Sequence, residues 1–311
     1  MDARDLPFGT PLVIANPTAG DGRVPVVTRL LVALRERGVE PDLVVTAAAG
    51  HAGRLAQEAA LDGRGLVVAV GGDGTVNEVV NGLFDPDTGS AVGAGPVLGV
   101  VGAGSGSDLM RTFGLDRSPE VLADHLITAN LERIDLGRAE VVGPDGATRR
   151  RLFVNVAEAG YGGTVTALAN RMPRFVGRRR YEAAIVASVL GFRRVEATIT
   201  VDGGTEQASI CNALIANGQF FGSGLHVAPR ALPADGRFDV QAWGGRPIDV
   251  IRAQPQLRRG RHLERDDVQQ WRSRAVTLEA RRPLVVEADG EVLGTTPARF
   301  EVLPGALTLK V

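Results

Sequence analysis

Short apolar runs alternate with stretches of helical period through the first 135 residues of the chain. The run "PLVIAN" (11–16) is too apolar to face water and predicts a buried strand. Val27, Leu30, Leu31 and Leu34 then recur at helical spacing up to Gly38, which predicts a helix closed by a glycine cap. Further strands are expected over "DLVVT" (42–46) and "GLVVAV" (65–70), with a helix marked by Leu55, Ala56 and Ala59 between them. Val76, Val79, Val80 and Leu83 fall at i, i+3, i+4 and i+7. "PVLGVVGAGSGSD" (96–108) repeats the order of apolar strand, glycine-rich turn and helix, and Ser118-Pro119-Glu120 opens one more helix with proline at its preferred place. This alternation predicts a doubly wound parallel α/β domain over residues 1–137.

Beyond residue 137 the period shortens. "VEATITVDGG" (195–204), "ICNALIAN" (210–217), "RFDVQAW" (237–243), "AVTLEA" (275–280), "LVVEADGEV" (284–292) and "ALTLKV" (306–311) are short β-rich segments separated by turn residues. They predict an antiparallel β-sandwich domain over 138–299, with the last strand (300–311) a candidate to rejoin the first domain. Tyr181 to Phe192 is the one helical exception expected there.

Composition narrows the class. Apolar residues make up 44% and charged residues 23% of 311, which fits a globular chain of two domains. No apolar run reaches the ~18 residues of a membrane span, and the N-terminus lacks a basic stretch followed by an apolar one, so a cytoplasmic location is expected. The lone Cys211 forms no internal disulfide, and the four histidines show no metal-ligand spacing. A net charge of −1 argues against nucleic acid as a partner. Lys310 is the only lysine, so the chain has neither a Walker A loop nor a protein-kinase nucleotide lysine. Any phosphate bound here is held by arginine, backbone N–H or metal.

The glycine-rich turns at 71–75 and 102–107 carry the candidate chemistry. Both are expected at the carboxyl edge of the parallel sheet, where helix starts present free N–H groups and glycines let an anion approach. Each turn also brings an acid, Asp73 or Asp108. A carboxylate beside phosphates needs a cation between them, which points to Mg²⁺ carried by a nucleotide. The GxGxxG and GxSxG patterns are not met by "GAGSGS".

"NPTAG" (16–20), "GGDGTVNEVVNGL" (71–83) and "GSGSDLMR" (104–111), in this order, resemble the diacylglycerol kinase catalytic-domain family. The likeness continues through "FVNVAEAGYGGTV" (153–165), "NGQFFGSGLHVAPRALPADGRFDV" (217–240) and "VEADGEV" (286–292). The GGDGT motif alone is shared with NAD kinases and phosphofructokinases, whereas the GGDGTxNE extension with the later segments is more specific. The resemblance implies an N-terminal nucleotide domain of NAD kinase-like fold, a C-terminal β-sandwich, ATP with Mg²⁺ as donor, and a lipid such as diacylglycerol as acceptor. It implies that Asn16, Thr46, Gly71, Gly72, Gly74, Thr75, Glu78, Gly104 and Ser105 line the nucleotide site. Asp73 and Asp108 would hold Mg²⁺, directly or through water, Asp235 matches an acid at a structural metal site in some relatives, and Asp289 matches the proposed general base. Ala19 stands where the family often has serine, Ser107 where it has asparagine, and "ADG" (234–236) has one acid where relatives often have two; Arg23 stands in by position for a phosphate lysine.

The residues alone do not separate Asp289 from Asp202, since both begin Asp-Gly hairpin turns. Only the resemblance selects Asp289, with Asp73 as the alternative base and Asp202 expected to be an indifferent turn. A soluble-substrate kinase of the NAD kinase type and a non-catalytic nucleotide-binding regulator are the competing functions. "NRMPRFVGRRRYEAAIVASVLGFRR" (170–194) sets Arg171, Arg174, Arg178, Arg179 and Arg180 ahead of an apolar helix, so peripheral contact with an anionic membrane surface is expected. A homodimer is compatible with the sequence.

Overall fold

Apolar runs buried on both faces satisfy their backbone groups as strands of a parallel sheet covered by helices on either side. In the computed structural model, which describes residues 6–17, 26–103, 107–172 and 179–311 apart from the side chains of Arg179, Arg180 and Leu190, the first runs do so. The chain divides into two compact units: Met1–Leu136 with Gly222–Gly224 and Leu303–Val311, and Gly137–Phe221 with Leu225–Val302.

The first unit contains β1 (Leu12–Ala15), α1 (Val26–Glu36), β2 (Asp42–Val45), α2 (His51–Leu61), β3 (Leu66–Gly71), α3 (Asp73–Leu83), β4 (Val97–Gly102), α4 (Asp108–Thr112), α5 (Pro119–Ile127) and the start of β5 (Leu131–Val142). Its strands lie in the order β4-β3-β1-β2, all parallel. Gly38 closes α1 with φ 76° and donates to Arg35 O at 2.9 Å, as its position predicts. Helix α1 packs with α5 and α2 with α3, so the sheet is covered twice. The α2–α3 contact is unusually close, because a Cβ on Gly82 would collide with the Gly53 carbonyl.

The second unit adds β6 (Thr148–Phe153), β7 (Val156–Gly160), α6 (Tyr161–Arg171), α7 (Arg179–Gly191), β8 (Val195–Val201), β9 (Gly204–Ile210), β10 (Asn212–Ala216), β11 (Phe238–Trp243), α8 (Pro247–Arg252), α9 (Gln254–Leu257), β12 (Val268–Ser273), β13 (Ala275–Ala280), β14 (Val285–Ala288) and β15 (Glu291–Lys310). Strands β12-β11-β10-β7-β14 form one antiparallel layer that continues into the start of β15. The 298–301 stretch of β15 pairs instead with β13, followed by β8 and β9, which forms the second layer. Alternate residues of both layers meet in one core, where Phe153 stacks on Phe238 at 5.6 Å and meets Phe300 edge-on at 6.4 Å. The end of β15 belongs to the first unit and pairs parallel to β4 through Leu309 and Leu98.

Tyr181–Phe192 is not the only helix here, since α6, α8 and α9 join α7. The two glycines of "YGGTVTALANR" make α6 look like a turn by propensity. They are required by packing, because a Cβ at Gly162 or Gly163 would collide with the Glu158 carboxylate or the Val285 carbonyl. The apolar face of α7 is turned inward, with Ala184, Ile185 and Val189 packed against the cluster of Tyr161, Val165 and Ala169.

Helix propensity favours alanine over Gly82 by about 1 kcal/mol, whereas the clash with the Gly53 carbonyl opposes it by about 1–3 kcal/mol. Gly82→Ala is therefore expected to lower the midpoint of urea unfolding; an unchanged or raised midpoint would show that α2 and α3 separate without cost.

Candidate functional site

The order β4-β3-β1-β2 reverses direction between β3 and β1, and such a reversal opens a crevice at the carboxyl ends of the strands. Asn16 follows β1 at this point. Its N–H donates to Val70 O at 3.0 Å, and its side-chain amide donates to Thr75 Oγ1 at 3.1 Å. Thr75 is buried in the first turn of α3, and its N–H bonds back to Gly72 O at 2.9 Å. Buried Thr46 sits one strand further out, after β2, tied to Ala15 O at 2.9 Å.

The three glycines of this junction have different reasons. Gly71 is sterically required, since a Cβ would overlap Thr75. Neither Gly72, with φ −89°, nor Gly74 has the left-handed backbone that favours glycine, and a Cβ on either would meet nothing within 4 Å. Neither backbone conformation nor packing among the described residues accounts for them. What they leave is bare backbone facing open space at the amino end of α3, a geometry suited to phosphate oxygens.

The acids are placed less uniformly. Asp73 is the first residue of α3, and its Oδ1 accepts the Asp108 N–H at 3.1 Å. Asp108 is only 3% exposed, and its side chain turns elsewhere. It accepts the Ser223 and Gly224 N–H groups at 2.9 and 2.7 Å and pairs with Arg111 at 3.3 Å, so both of its oxygens are committed within the protein. Glu78 caps α2, accepting the Ala52 N–H at 3.2 Å. Gly104, Ser105, Ala19 and Arg23 lie outside the described residues.

In the second unit, Asp235 accepts the Arg237 N–H at 3.0 Å and pairs with Arg272, so a guanidinium stands where the sequence suggested a metal. Among the described residues, no three His, Cys, Asp or Glu side chains come together to hold a metal ion. Asp73 beside the bare amides fits a Mg²⁺ ion that arrives with a nucleotide's phosphates, since such an ion takes only one or two carboxylates from protein. Asp108 and Asp235, already engaged, do not fit as direct ligands.

Asp289 opens the β14–β15 hairpin with φ 47°, followed by Gly290 at 84°. Both positive values belong to the tight turn that Asp-Gly favours. Its carboxylate accepts three successive amides, Val154 N–H at 2.8 Å, Asn155 N–H at 3.1 Å and Val156 N–H at 3.0 Å, which fix its orientation. Asp202, taken from the sequence as an indifferent turn, is also an anchor. It accepts Ser273 Oγ–H at 2.9 Å, Arg274 N–H at 2.9 Å and Ala275 N–H at 3.3 Å, and the Arg274 amide leads in holding its carboxyl below the usual range.

Sequence reasoning passed over two buried glutamates. Glu158 on β7 and Glu287 on β14 are directly paired across the ladder. Burial raises Glu158 to about 7, and burial together with the Glu158 charge raises Glu287 well above the normal carboxylate range. The signal was an acid inside each otherwise apolar stretch, "VAEAG" (156–160) and "LVVEA" (284–288). Of the arginine cluster, Arg171 is exposed at the end of α6; Arg174, Arg178 and the side chains of Arg179 and Arg180 are outside the description.

An open parallel sheet that reverses its strand order, together with an antiparallel sandwich, defines the fold class. Residues 10–139 match the family described as diacylglycerol kinase catalytic domain, and residues 155–311 match the YegS C-terminal NAD kinase beta sandwich-like domain. A diacylglycerol kinase of Mycobacterium tuberculosis (strain ATCC 25618 / H37Rv) is 31% identical over 305 residues, covering 96% of this chain and 94% of its own. One from Bacillus subtilis (strain 168) is 29% identical over 296 residues, covering 93% and 91%. In fold, the chain matches a diacylglycerol kinase from Bacillus anthracis str. Sterne, with TM-score 0.70, 20% identity and coverage of 97% and 96%. Yeast NADH kinase complexed with NADH matches more distantly, at 0.52 and 9% identity, covering 96% and 78%. The chain belongs to the diacylglycerol kinase catalytic-domain family of lipid kinases.

Because Asp202 satisfies backbone donors at the β12–β13 connection, Asp202→Asn is expected to destabilise the protein by about 1–3 kcal/mol. Chemical denaturation measures it, and a loss within 0.3 kcal/mol, roughly the scatter of surface substitutions, would make it the inert turn expected from sequence.

Proposed function

We propose that this protein transfers the γ-phosphoryl group of ATP, bound with Mg²⁺, to the hydroxyl of a lipid such as diacylglycerol. The observation that supports the nucleotide half is the pair of glycines 72 and 74, bare where, among the described residues, neither backbone conformation nor packing asks for glycine. Family membership carries the lipid half. In this reading the amides at the start of α3 bind the phosphates, and the Asn16–Thr75 hydrogen bond keeps that first turn in place. Bound Mg²⁺ would neutralise charge on the transferring phosphoryl group, with Asp73 as its protein ligand. The lipid oxygen forms its bond to the γ-phosphorus as the bond to the β–γ bridging oxygen breaks, ADP leaves, and Asp289 takes the hydroxyl proton.

No helix among the described residues is long and apolar enough to cross a membrane. The lipid would be met at a membrane surface, with exposed Arg171 and the arginines that follow it drawing the protein to anionic headgroups.

Incubation with labelled ATP and mixed lipids tests the reading. Label in an organic-phase product supports it; label only in a water-soluble product replaces it with a soluble-substrate kinase, and nucleotide binding without either leaves a regulator. Asp289→Asn is expected to lower turnover by roughly 10²–10⁴ while ATP affinity stays within about threefold, with circular dichroism checking that the turn's lost acceptor has not unfolded the chain. Asp73→Asn should lose most activity and its normal Mg²⁺ response. Loss of ATP binding in Asp289→Asn would transfer the base role to Asp73.

Gly74→Ala separates ligand from fold. It should stabilise the free protein by up to about 1 kcal/mol, because alanine is the better helix residue, while weakening nucleotide binding measured by calorimetry. Equal nucleotide affinity in the variant would remove the α3 amino end from the phosphate site.

A further inference from the structure

Glu158 and Glu287 lie beside the hairpin that carries Asp289, and no step proposed above uses them. They face each other directly in the antiparallel β7–β14 ladder, which brings their Cβ atoms to roughly 5 Å on one face of the sheet. That face is not the sandwich core. The neighbours Ala157, Ala159, Val286 and Ala288 point into the core, so the alternation of side chains sends both glutamates to the side covered by α6. There the backbone of Gly162 closes over the Glu158 carboxylate. Glu158 is 8% exposed and Glu287 is 0% exposed.

Donors to the pair are few. Gly290 N–H donates to Glu287 Oε2 at 2.9 Å, the Asn212 side chain from β10 bonds to Glu158, and Glu287 Oε1 has no hydrogen-bond partner. Asp289 acts on Glu287 from the turn and is also negative. From β15, Glu291 follows on the adjoining strand but is bound to Arg151 at 2.9 Å. From the β9–β10 junction, the Cys211 thiol is held neutral, raised to about 12 chiefly by burial. From α6, burial likewise raises Tyr161 to about 12, and the Gly162 amide is taken by Asn212 at 3.0 Å. Among the described residues, no basic side chain acts on either glutamate. Two ionised carboxylates this close and this dry are strongly unfavourable, whereas one proton between them supplies the donor that Glu287 Oε1 lacks.

We propose that Glu158 and Glu287 share one proton in a carboxylic acid–carboxylate hydrogen bond, and that this pair is the positioning element that keeps the Asp289–Gly290 turn in place. The proton sharing stands on the cross-strand pairing, the burial of both side chains and the unpartnered Glu287 Oε1; its consequence for turnover rests on the reading of Asp289 as the base. Glu287 Oε2 holds the Gly290 amide, and Asp289 N–H donates to Val156 O at 2.9 Å, so the turn is tied to both strands of the pair. Stripping the proton at alkaline pH places a second negative charge under the turn, beside Asp289. The pair titrates as a unit, and its proton is retained to pH values at which free glutamates have lost theirs.

The sign follows from linkage. The folded protein keeps a proton that unfolded glutamates release above about pH 4.3, so the pair's contribution to stability falls as pH rises from there through about 7 and beyond. Glu287→Gln keeps an acceptor for Gly290 and supplies a donor that cannot ionise. Thermal unfolding of wild type and Glu287→Gln between pH 5.5 and 8.5 should show the variant gaining on wild type by about 4 °C as pH rises. A gap that is constant over this range overturns the shared proton. Should Glu287→Gln fail to fold, Glu158→Gln makes the same comparison from the other partner.

Hydrogen exchange at Val154, Asn155, Val156 and Gly290, corrected for intrinsic rates, should lose protection at alkaline pH in wild type and hold it in the variant. The alkaline limb of kcat should move to higher pH in Glu287→Gln, with KM within about threefold. If the thermal gap behaves as expected but neither the exchange nor the kcat limb moves, the positioning role is overturned. If no lipid is phosphorylated at all, the proposed function fails, and the thermal gap still decides the shared proton.

Discussion

The reversal of strand order between β1 and β3 is the constraint on which the first unit depends. Right-handed crossovers from a shared pair of central strands carry α1 to one face and α2 and α3 to the other, so the loops that follow the two strands diverge. Close approach of α2 and α3 at Gly53 and Gly82 fixes where α3 begins, and the Asn16–Thr75 hydrogen bond holds its first turn against the end of β1. Around Gly72 and Gly74 a Cβ would meet nothing among the described residues, so the backbone at the amino end of α3 is open to close approach.

Desolvation sorts the acids of this protein into kinds. Asp108, Asp202 and Asp289 each accept three donors, so each can remain charged and act as a fixed point for backbone that would otherwise be loose. Asp108 fastens the Ser223–Gly224 segment, whose residues from 222 to 224 all have positive φ. Glu158 and Glu287 are buried with too few donors for two charges, and the lower-energy outcome is to keep a proton. The same carboxyl chemistry therefore gives structural anchors and a proton-holding pair, according to burial and the number of donors around it.

The strands and helices of the first unit, the β-rich character of the second and the glycine-rich turn between β3 and α3 were legible in the sequence, because each rests on local spacing. An apolar run such as 65–70 has to be buried, and Val76, Val79, Val80 and Leu83 share a face wherever the helix goes. Helix α6 was not legible, since its glycines answer to Glu158 and Val285 and not to their own neighbours. Nor were the partners of the acids. Asp73, Asp108, Asp202 and Asp289 are all aspartates in or beside glycine turns, and nothing local distinguishes them. Their donors come from 35, 115, 72 and 135 residues away in the chain. Periodicity is a property of neighbours and survives in a string of letters; burial, donor count and hence charge state arise only when distant segments meet, so they belong to the tertiary structure.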